Sequence, residues 1–201
     1  TLFIFCSIVM YCNQMNAQCD PSSTNTNTTT FIDDFTTTNG AVNISNTSSG
    51  LSAGHYVDNF ATMTVSSYAT STFDFSVAIQ GGTVGCAVWV DWNADQVFDA
   101  SELLDEYSGS MPFTTSISVT IPVNAVNGLQ RMRVMQKQAG SLPLDPCENF
   151  TYGSNIDFSI DISGGNGCGV PFNLSSTGAT ANSVDLTWDL ANSANQYVVE
   201  Y

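Results

Sequence analysis

The sequence GCAVWVDW at residues 85–92 alternates along the chain with the period of two that is typical of a β-strand. Cys86, Val88 and Val90 share one face with the preceding Val84, which indicates a face turned toward a core. This pattern predicts a buried thiol for Cys86 and a core position for Trp89. Directly after the strand the chain becomes acidic, so a functional site is expected at the end of this strand.

Similar strand signals recur on both sides, about 8–15 residues apart, with Gly, Asn and Pro between them. They are FIDDF (31–35), AVNIS (41–45), FATMTVS (60–66), TFDFSVAI (72–79), TSISVTIPV (115–123), LQRMRVMQ (129–136) and NIDFSIDI (155–162). No stretch between residues 19 and 201 keeps a helical apolar stripe for ten residues, and DASELLDEY (99–107) is the one predicted helical piece. The chain is therefore predicted to be all-β, with an antiparallel β-sandwich.

The charge balance excludes several functions. The 201 residues carry 3 Lys+Arg against 18 Asp+Glu, a formal net charge of −15, while 43% of the residues are hydrophobic. The hydrophobic fraction is sufficient for a core, and so strongly negative a field repels nucleic acid and anionic lipid. Because His55 is the single histidine of the sequence, catalytic or zinc sites that need two histidines are excluded. The acidic surplus favours a hard cation such as Ca²⁺.

The segment DWNADQVFDASE at residues 91–102 has the spacing of a calcium-binding loop. Oxygen ligands occupy loop positions 1, 3, 5, 9 and 12, and position 7 offers a backbone carbonyl. The candidate ligands are Asp91, Asn93, Asp95, Val97, Asp99 and Glu102. Carboxylates brought this close repel one another unless a cation lies among them. The alternative interpretation is an acidic, solvated hairpin loop without a metal.

Gln96 occupies loop position 6, where the calcium-loop pattern has glycine. The turn at this position requires a positive φ, which costs a non-glycine residue about 1–2 kcal/mol. We therefore expect a weak site, with a Kd of about 10⁻⁴–10⁻³ M, in the range of extracellular modules.

Three segments resemble the GEVED domain of secreted bacterial proteins: VWVDWNADQVFDASELL (88–104), IPVNAVNGLQRMRV (121–134) and YGSNIDFSIDI (152–162). The resemblance covers about residues 19–162 and implies a β-sandwich domain. The departures are Gln96 for the glycine of the loop, Ser154 and Ile156 for two glutamates, and Phe158 for a tyrosine. Gly153 and Asp157 of the closing motif are retained.

The two ends of the chain suggest other units. Residues 2–11 form an apolar run that is too short to span a bilayer but fits a signal peptide, so residues 1–18 are predicted to be a secretory signal. The mature chain is then expected to have no membrane span. SGGNG (163–167) is the predicted linker. Residues 168–201 resemble the start of a fibronectin type III domain, with Trp188 in its second strand.

Four cysteines remain after the predicted signal: Cys19, Cys86, Cys147 and Cys168. They allow three pairings, and the sequence alone does not choose between them. Cys19 and Cys147 both lie in loop-like sequence, which favours a bridge between them.

Some signals that resemble functional sites have simpler explanations. GLSAG (50–54), followed by His55, matches G-x-S-x-G, but it lies in loop sequence without the strand and helix of a nucleophile elbow. Arg131 and Arg133 share one strand face and are expected to pair with structural acids. Trp92 is a candidate for sugar stacking.

Together these features predict a non-catalytic accessory, adhesion or spacer module, secreted or at the cell surface, and stabilised by Ca²⁺. Its partner would be an unidentified protein or glycan at the cell surface. One alternative is the non-catalytic region of a secreted hydrolase, such as a metalloprotease, whose catalytic domain lies outside this fragment. Another is a carbohydrate-binding module that uses Trp92 and the loop acids.

Overall fold

A computed structural model describes residues 18–21, 29–110, 113–138, 142–165, 172–178, 180 and 183–189. It contains twelve strands: β1 (Phe31–Thr38), β2 (Ser45–Asn46), β3 (Tyr56–Asp58), β4 (Thr64–Tyr68), β5 (Thr72–Gln80), β6 (Thr83–Val90), β7 (Leu103–Ser110), β8 (Phe113–Thr120), β9 (Gly128–Gln138), β10 (Gly153–Ser163), β11 (Phe172–Thr177) and β12 (Asp185–Asp189). A 3₁₀ turn spans Ala53–His55, and no α-helix occurs among the described residues. The chain is therefore all-β, as its alternating pattern predicts.

The strands form two large sheets. One has the order β2-β1-β5-β8 and is antiparallel throughout. The other has six strands, with the order β3-β10-β9-β6-β7 and β4 also paired to β10. β3 and β4 lie one after the other along the same edge of β10, and both run parallel to it. The predicted purely antiparallel arrangement is therefore wrong at this edge, because the chain from β3 to β4 continues in the direction of β10 instead of reversing.

The two large sheets face each other across one apolar core. Phe35 of β1 stacks on Phe158 of β10 with ring centroids 4.7 Å apart. Cys86 is buried in this core as a free thiol, as the sequence predicts. Burial raises the pKa of the Cys86 thiol far above its usual range. The result is a β-sandwich-like fold in which the alternating residues of both sheets supply the core.

A second apolar cluster covers the opposite face of the six-stranded sheet. It consists of Ala87, Trp89, Phe98, Met135, Leu144 and Phe150, with Leu103 at its edge. Trp89 therefore packs outside the space between the sheets, whereas Trp92 is 7% exposed and belongs to the main core. Trp92, the candidate for sugar stacking, therefore offers no open surface, because it continues the alternation of the even-numbered residues of β6, all of which face the core.

The predicted helix at residues 99–107 is also wrong. β7 begins at Leu103 and pairs antiparallel with β6 as far as Ser110. Residues 99–102 belong to the loop before it. The local sequence is compatible with a helix, but pairing with the buried strand β6 satisfies its backbone groups instead.

The C-terminal part forms a separate small hairpin, in which β11 and β12 pair antiparallel. Residues 1–17 of the predicted signal peptide (1–18) and residues 190–201 of the predicted fibronectin-like segment lie outside the described residues, as does Cys168. β10 extends to Ser163, and the backbone N–H of Gly165 donates to Oδ1 of Asn127. No helix in the described part of the chain has the length and hydrophobicity needed to cross a bilayer.

Candidate metal centre

The acidic loop at residues 91–102 is the connection between β6 and β7. β6 ends at Val90, immediately before Asp91, and β7 starts at Leu103, immediately after Glu102. The N–H of Val90 donates to the carbonyl of Glu102 at 3.0 Å. Pairing of the two strands therefore brings the first and last acids of the loop together at its base.

Both of these acids are buried and organise the loop backbone. Asp91 is 3% exposed, and its two carboxylate oxygens accept the N–H groups of Asp95 and Gln96 at 3.2 and 3.0 Å. Glu102 is 2% exposed, and its oxygens accept the N–H groups of Trp92 and Asp99 at 2.9 and 3.1 Å. Each carboxylate thus holds one half of the loop in place.

The loop brings three of the candidate ligands together. One carboxylate oxygen from each of Asp91, Asp95 and Glu102 lies within 4.8 Å of the other two. Asn93 and Asp99 bond locally instead: the Asn93 amide donates to Asp95 Oδ2, and Asp99 Oδ1 accepts from Ser101. The Val97 side chain is exposed, consistent with a residue that contributes only through its backbone.

The buried acids are poorly solvated as anions. Burial raises the pKa of Asp91 to about 6 and that of Glu102 to about 7, although backbone N–H donors oppose the shift. The neighbouring Asp95 adds to the shift at Asp91, and Asp91 and Asp99 add to it at Glu102. A divalent cation among these oxygens would offset both causes.

Gln96 adopts the left-handed backbone conformation that the loop pattern requires, with φ +65°. We expect Gln96→Gly to raise the free energy of unfolding by about 1 kcal/mol, because glycine adopts this conformation without steric cost. Urea denaturation of the two proteins would measure the difference. A matched control is Gln80→Gly in β5, which should be destabilising, and a destabilised Gln96→Gly variant would contradict the prediction.

Behind the loop lies a buried ionic cluster centred on Arg133 and Asp157, both fully buried. Nε and Nη2 of Arg133 donate to the two Asp157 oxygens, each at 2.7 Å. The Tyr56 hydroxyl also donates to Asp157, and burial together with this carboxylate raises the Tyr56 pKa, which keeps the hydroxyl protonated. The guanidinium of Arg133 lies 5.1 Å from the ring centroid of Phe98, so it touches the acidic loop.

Arg133 also anchors distant parts of the chain. It donates from Nη2 to the carbonyl of Cys19 at 2.6 Å and from Nη1 to the carbonyl of Pro146 at 2.8 Å. Cys19 and Cys147 form a disulfide, the pair that the sequence favours. The prediction that the arginines pair with structural acids is confirmed, but the sequence pattern does not show that Asp157 is the shared partner or that Tyr56 joins it. The retained Asp157 of the closing motif was the available signal.

A close approach of two strands explains why the closing motif has a glycine at position 153. Gly153 has φ +146°, and a Cβ at this position would lie 2.0 Å from the carbonyl oxygen of Gln136. Only glycine fits where β10 begins against β9.

The G-x-S-x-G sequence does not form a nucleophile site. Ser52 Oγ donates to the carbonyl of Tyr56, and His55 Nδ1 lies 2.6 Å from the carbonyl of Gly153. Each side chain is therefore committed to a backbone group, and a Ser–His pair is not formed.

The described residues form a β-sandwich-like fold with an acidic hairpin loop between β6 and β7. Residues 85–161, from β6 through most of β10, match the sequence profile of the GEVED domain. This domain is a non-catalytic accessory module. No curated protein matches the chain.

Proposed function

We propose that this chain is an accessory or adhesion module of a secreted or cell-surface protein, and that Ca²⁺ bound in the loop at residues 91–102 stabilises it. The observation that carries the metal proposal is the convergence of oxygens from Asp91, Asp95 and Glu102 within 4.8 Å, two of them from buried carboxylates. An all-oxygen donor set with a 12-residue spacing favours Ca²⁺ over transition metals.

The stabilisation follows from linkage. A cation that binds the folded loop and not the unfolded chain stabilises the fold by RT ln(1+[L]/Kd). The loop packs through Phe98 against Arg133, so ordering it also supports the second apolar cluster. On binding, Asn93, Asp99 and the Val97 carbonyl would complete the coordination shell.

Two features support export of the protein. The Cys19–Cys147 disulfide is of the kind that persists in oxidising compartments. The apolar run at residues 2–11 supports a secretory signal over residues 1–18.

The β11–β12 hairpin supports the proposal that residues 168–201 begin a fibronectin type III domain, joined to the GEVED-like domain by a linker at 163–167.

We expect 5 mM CaCl₂ to raise the melting temperature of the EGTA-treated protein at pH 7.5 by about 2–8 °C, from a Kd of about 10⁻⁴–10⁻³ M. Differential scanning calorimetry would measure the shift. The variant Asp95→Asn should lose most of this shift, because Asp95 supplies one of the three converging carboxylate oxygens. Asp95 is exposed, so the substitution should leave the core intact. The same substitution at Asp34, outside the loop, is the matched control and should keep the shift.

The pH dependence separates specific binding from a general salt effect. Burial raises the pKa of Glu102 from 4.5 to about 7 in the folded protein. Between these two pH values the metal-free folded protein still holds a proton that the unfolded chain has already released. Stability without metal therefore falls as pH rises through this window. Ca²⁺ competes with those protons, so its effect should be large at pH 7.5 and small at pH 5. An equal shift at both pH values, or none at pH 7.5, would contradict the calcium proposal.

A further inference from the structure

A cleft of about 500 Å³ lies beside the acidic loop, at the edge of the six-stranded sheet. Its walls come from the loop itself, the start of β9, the connection after β3 and the segment around residue 20. The lining side chains that bear on its chemistry are Asp20, Asp58, Phe60, Gln96, Leu129 and Arg131. The volume falls within the range of small-molecule sites, about 300–1,000 Å³.

The position of Arg131 in this cleft is fixed by its surroundings. Nη1 donates to Asp58 at 3.2 Å and to Asp157 at 2.8 Å, and the guanidinium lies 4.6 Å from the centroid of the Phe60 ring. Among the described residues, its Nε and Nη2 groups have no hydrogen-bond partner, and the side chain is 20% exposed. The cleft is therefore lined by a fixed guanidinium, two of whose N–H-bearing nitrogens donate to no described residue.

The carboxylates that line the cleft accept hydrogen bonds, so a ligand that contacts them must donate hydrogen bonds. Asp20 is exposed and Asp58 is half-exposed, and both carboxylates accept hydrogen bonds only. The Gln96 amide offers both a donor and an acceptor. Leu129 is 52% exposed and adds an apolar surface. A ligand that satisfies this cleft must donate and accept hydrogen bonds and carry a C–H face.

Charge excludes the simpler alternatives. Asp20 and Asp58 outnumber Arg131 even when Asp91 is neutralised by Ca²⁺, so an anionic ligand is repelled. An ammonium group cannot accept from Arg131. Hydroxyl groups both donate and accept, and a sugar ring presents a C–H face. From this combination we propose that the cleft binds a neutral glycan, in place of the Trp92 surface that the core buries. This proposal does not require bound calcium.

Native affinity electrophoresis of the full chain tests the proposal, since a protein with pI near 4.1 migrates well at neutral pH. The gels would contain mannan, laminarin, xyloglucan or galactomannan, with polygalacturonate and cationic chitosan as charge comparisons. We expect retardation by at least one of the four neutral polysaccharides, both in Ca²⁺ and in EGTA. Failure of the calcium proposal would leave this result unchanged, so the two proposals fail independently.

Variants then locate the site. Leu129→Ala and Asp58→Asn change exposed cleft residues and should each weaken binding at least tenfold. Val42→Ala and Asp34→Asn, outside the cleft, are the matched controls and should bind as the unmodified protein does. The proposal is overturned if no neutral polysaccharide retards the protein, if only polygalacturonate or chitosan does, or if the cleft variants bind normally. Thermal melts of all variants would verify that each is folded.

Discussion

Replacing Arg133 with methionine should lower the free energy of unfolding by about 3–5 kcal/mol, because it removes one partner of a buried ion pair. Asp157 would lose two hydrogen bonds of 2.7 Å in a site without solvent access. The carbonyls of Cys19 and Pro146 would lose their guanidinium donors as well. The substitution therefore removes at once the contacts of Arg133 with β10, with Cys19 and with Pro146.

Urea denaturation would measure the loss, with Arg131→Met as the matched control. Arg131 is partly exposed and contributes one nitrogen to Asp157, so its loss should cost about 1 kcal/mol. If Arg133→Met fails to fold, Arg133→Lys and Asp157→Asn provide milder tests of the same pair. The double variant Arg133→Met/Asp157→Asn should be less destabilised than the sum of the two single changes. Additive effects, or a loss below about 1 kcal/mol for Arg133→Met, would refute a central role for the pair.

Removing the disulfide is expected to have the next largest effect. The variant Cys19→Ala/Cys147→Ala should lose about 2–5 kcal/mol, because the bridge joins residues separated by 128 positions and so restricts the unfolded chain strongly. The loss also frees the segment around Cys19, whose carbonyl accepts from Arg133.

Urea unfolding with and without dithiothreitol measures this contribution. The reductant should destabilise the unmodified protein and leave the double variant unchanged, which makes the variant its own control for other thiols. Equal unfolding midpoints for the two proteins without reductant would contradict the prediction.

Much of the strand content could be predicted from alternation alone. β5, β6, β9 and β10 lie close to the expected positions because their side chains alternate between a core and the opposite face. β7 could not be predicted, since LLDEYSGS has little alternation and its strand state depends on pairing with β6. The short strand β3 could not be predicted either, because its three residues are held by pairing with β10.

One part of the candidate site could likewise be predicted from the sequence, and another part could not. The spacing of Asp91, Asp95 and Glu102 and the unusual backbone at Gln96 could be predicted, because both depend on positions within twelve consecutive residues. The cleft could not, since its walls come from four separate segments. The burial of Trp92 follows from the packing of one sheet on the other.

The all-β class, the buried position of Cys86 and the order of the candidate oxygen ligands in the acidic loop could be predicted from the chain alone, because each follows from the local period and spacing of residues. Three other features appear only once the chain is folded: β3 and β4 run parallel to β10, Arg133 joins Asp157 to the disulfide region, and a polar cleft adjoins the loop. These contacts join residues far apart in the chain, so they depend on how the two sheets pack and not on any local pattern.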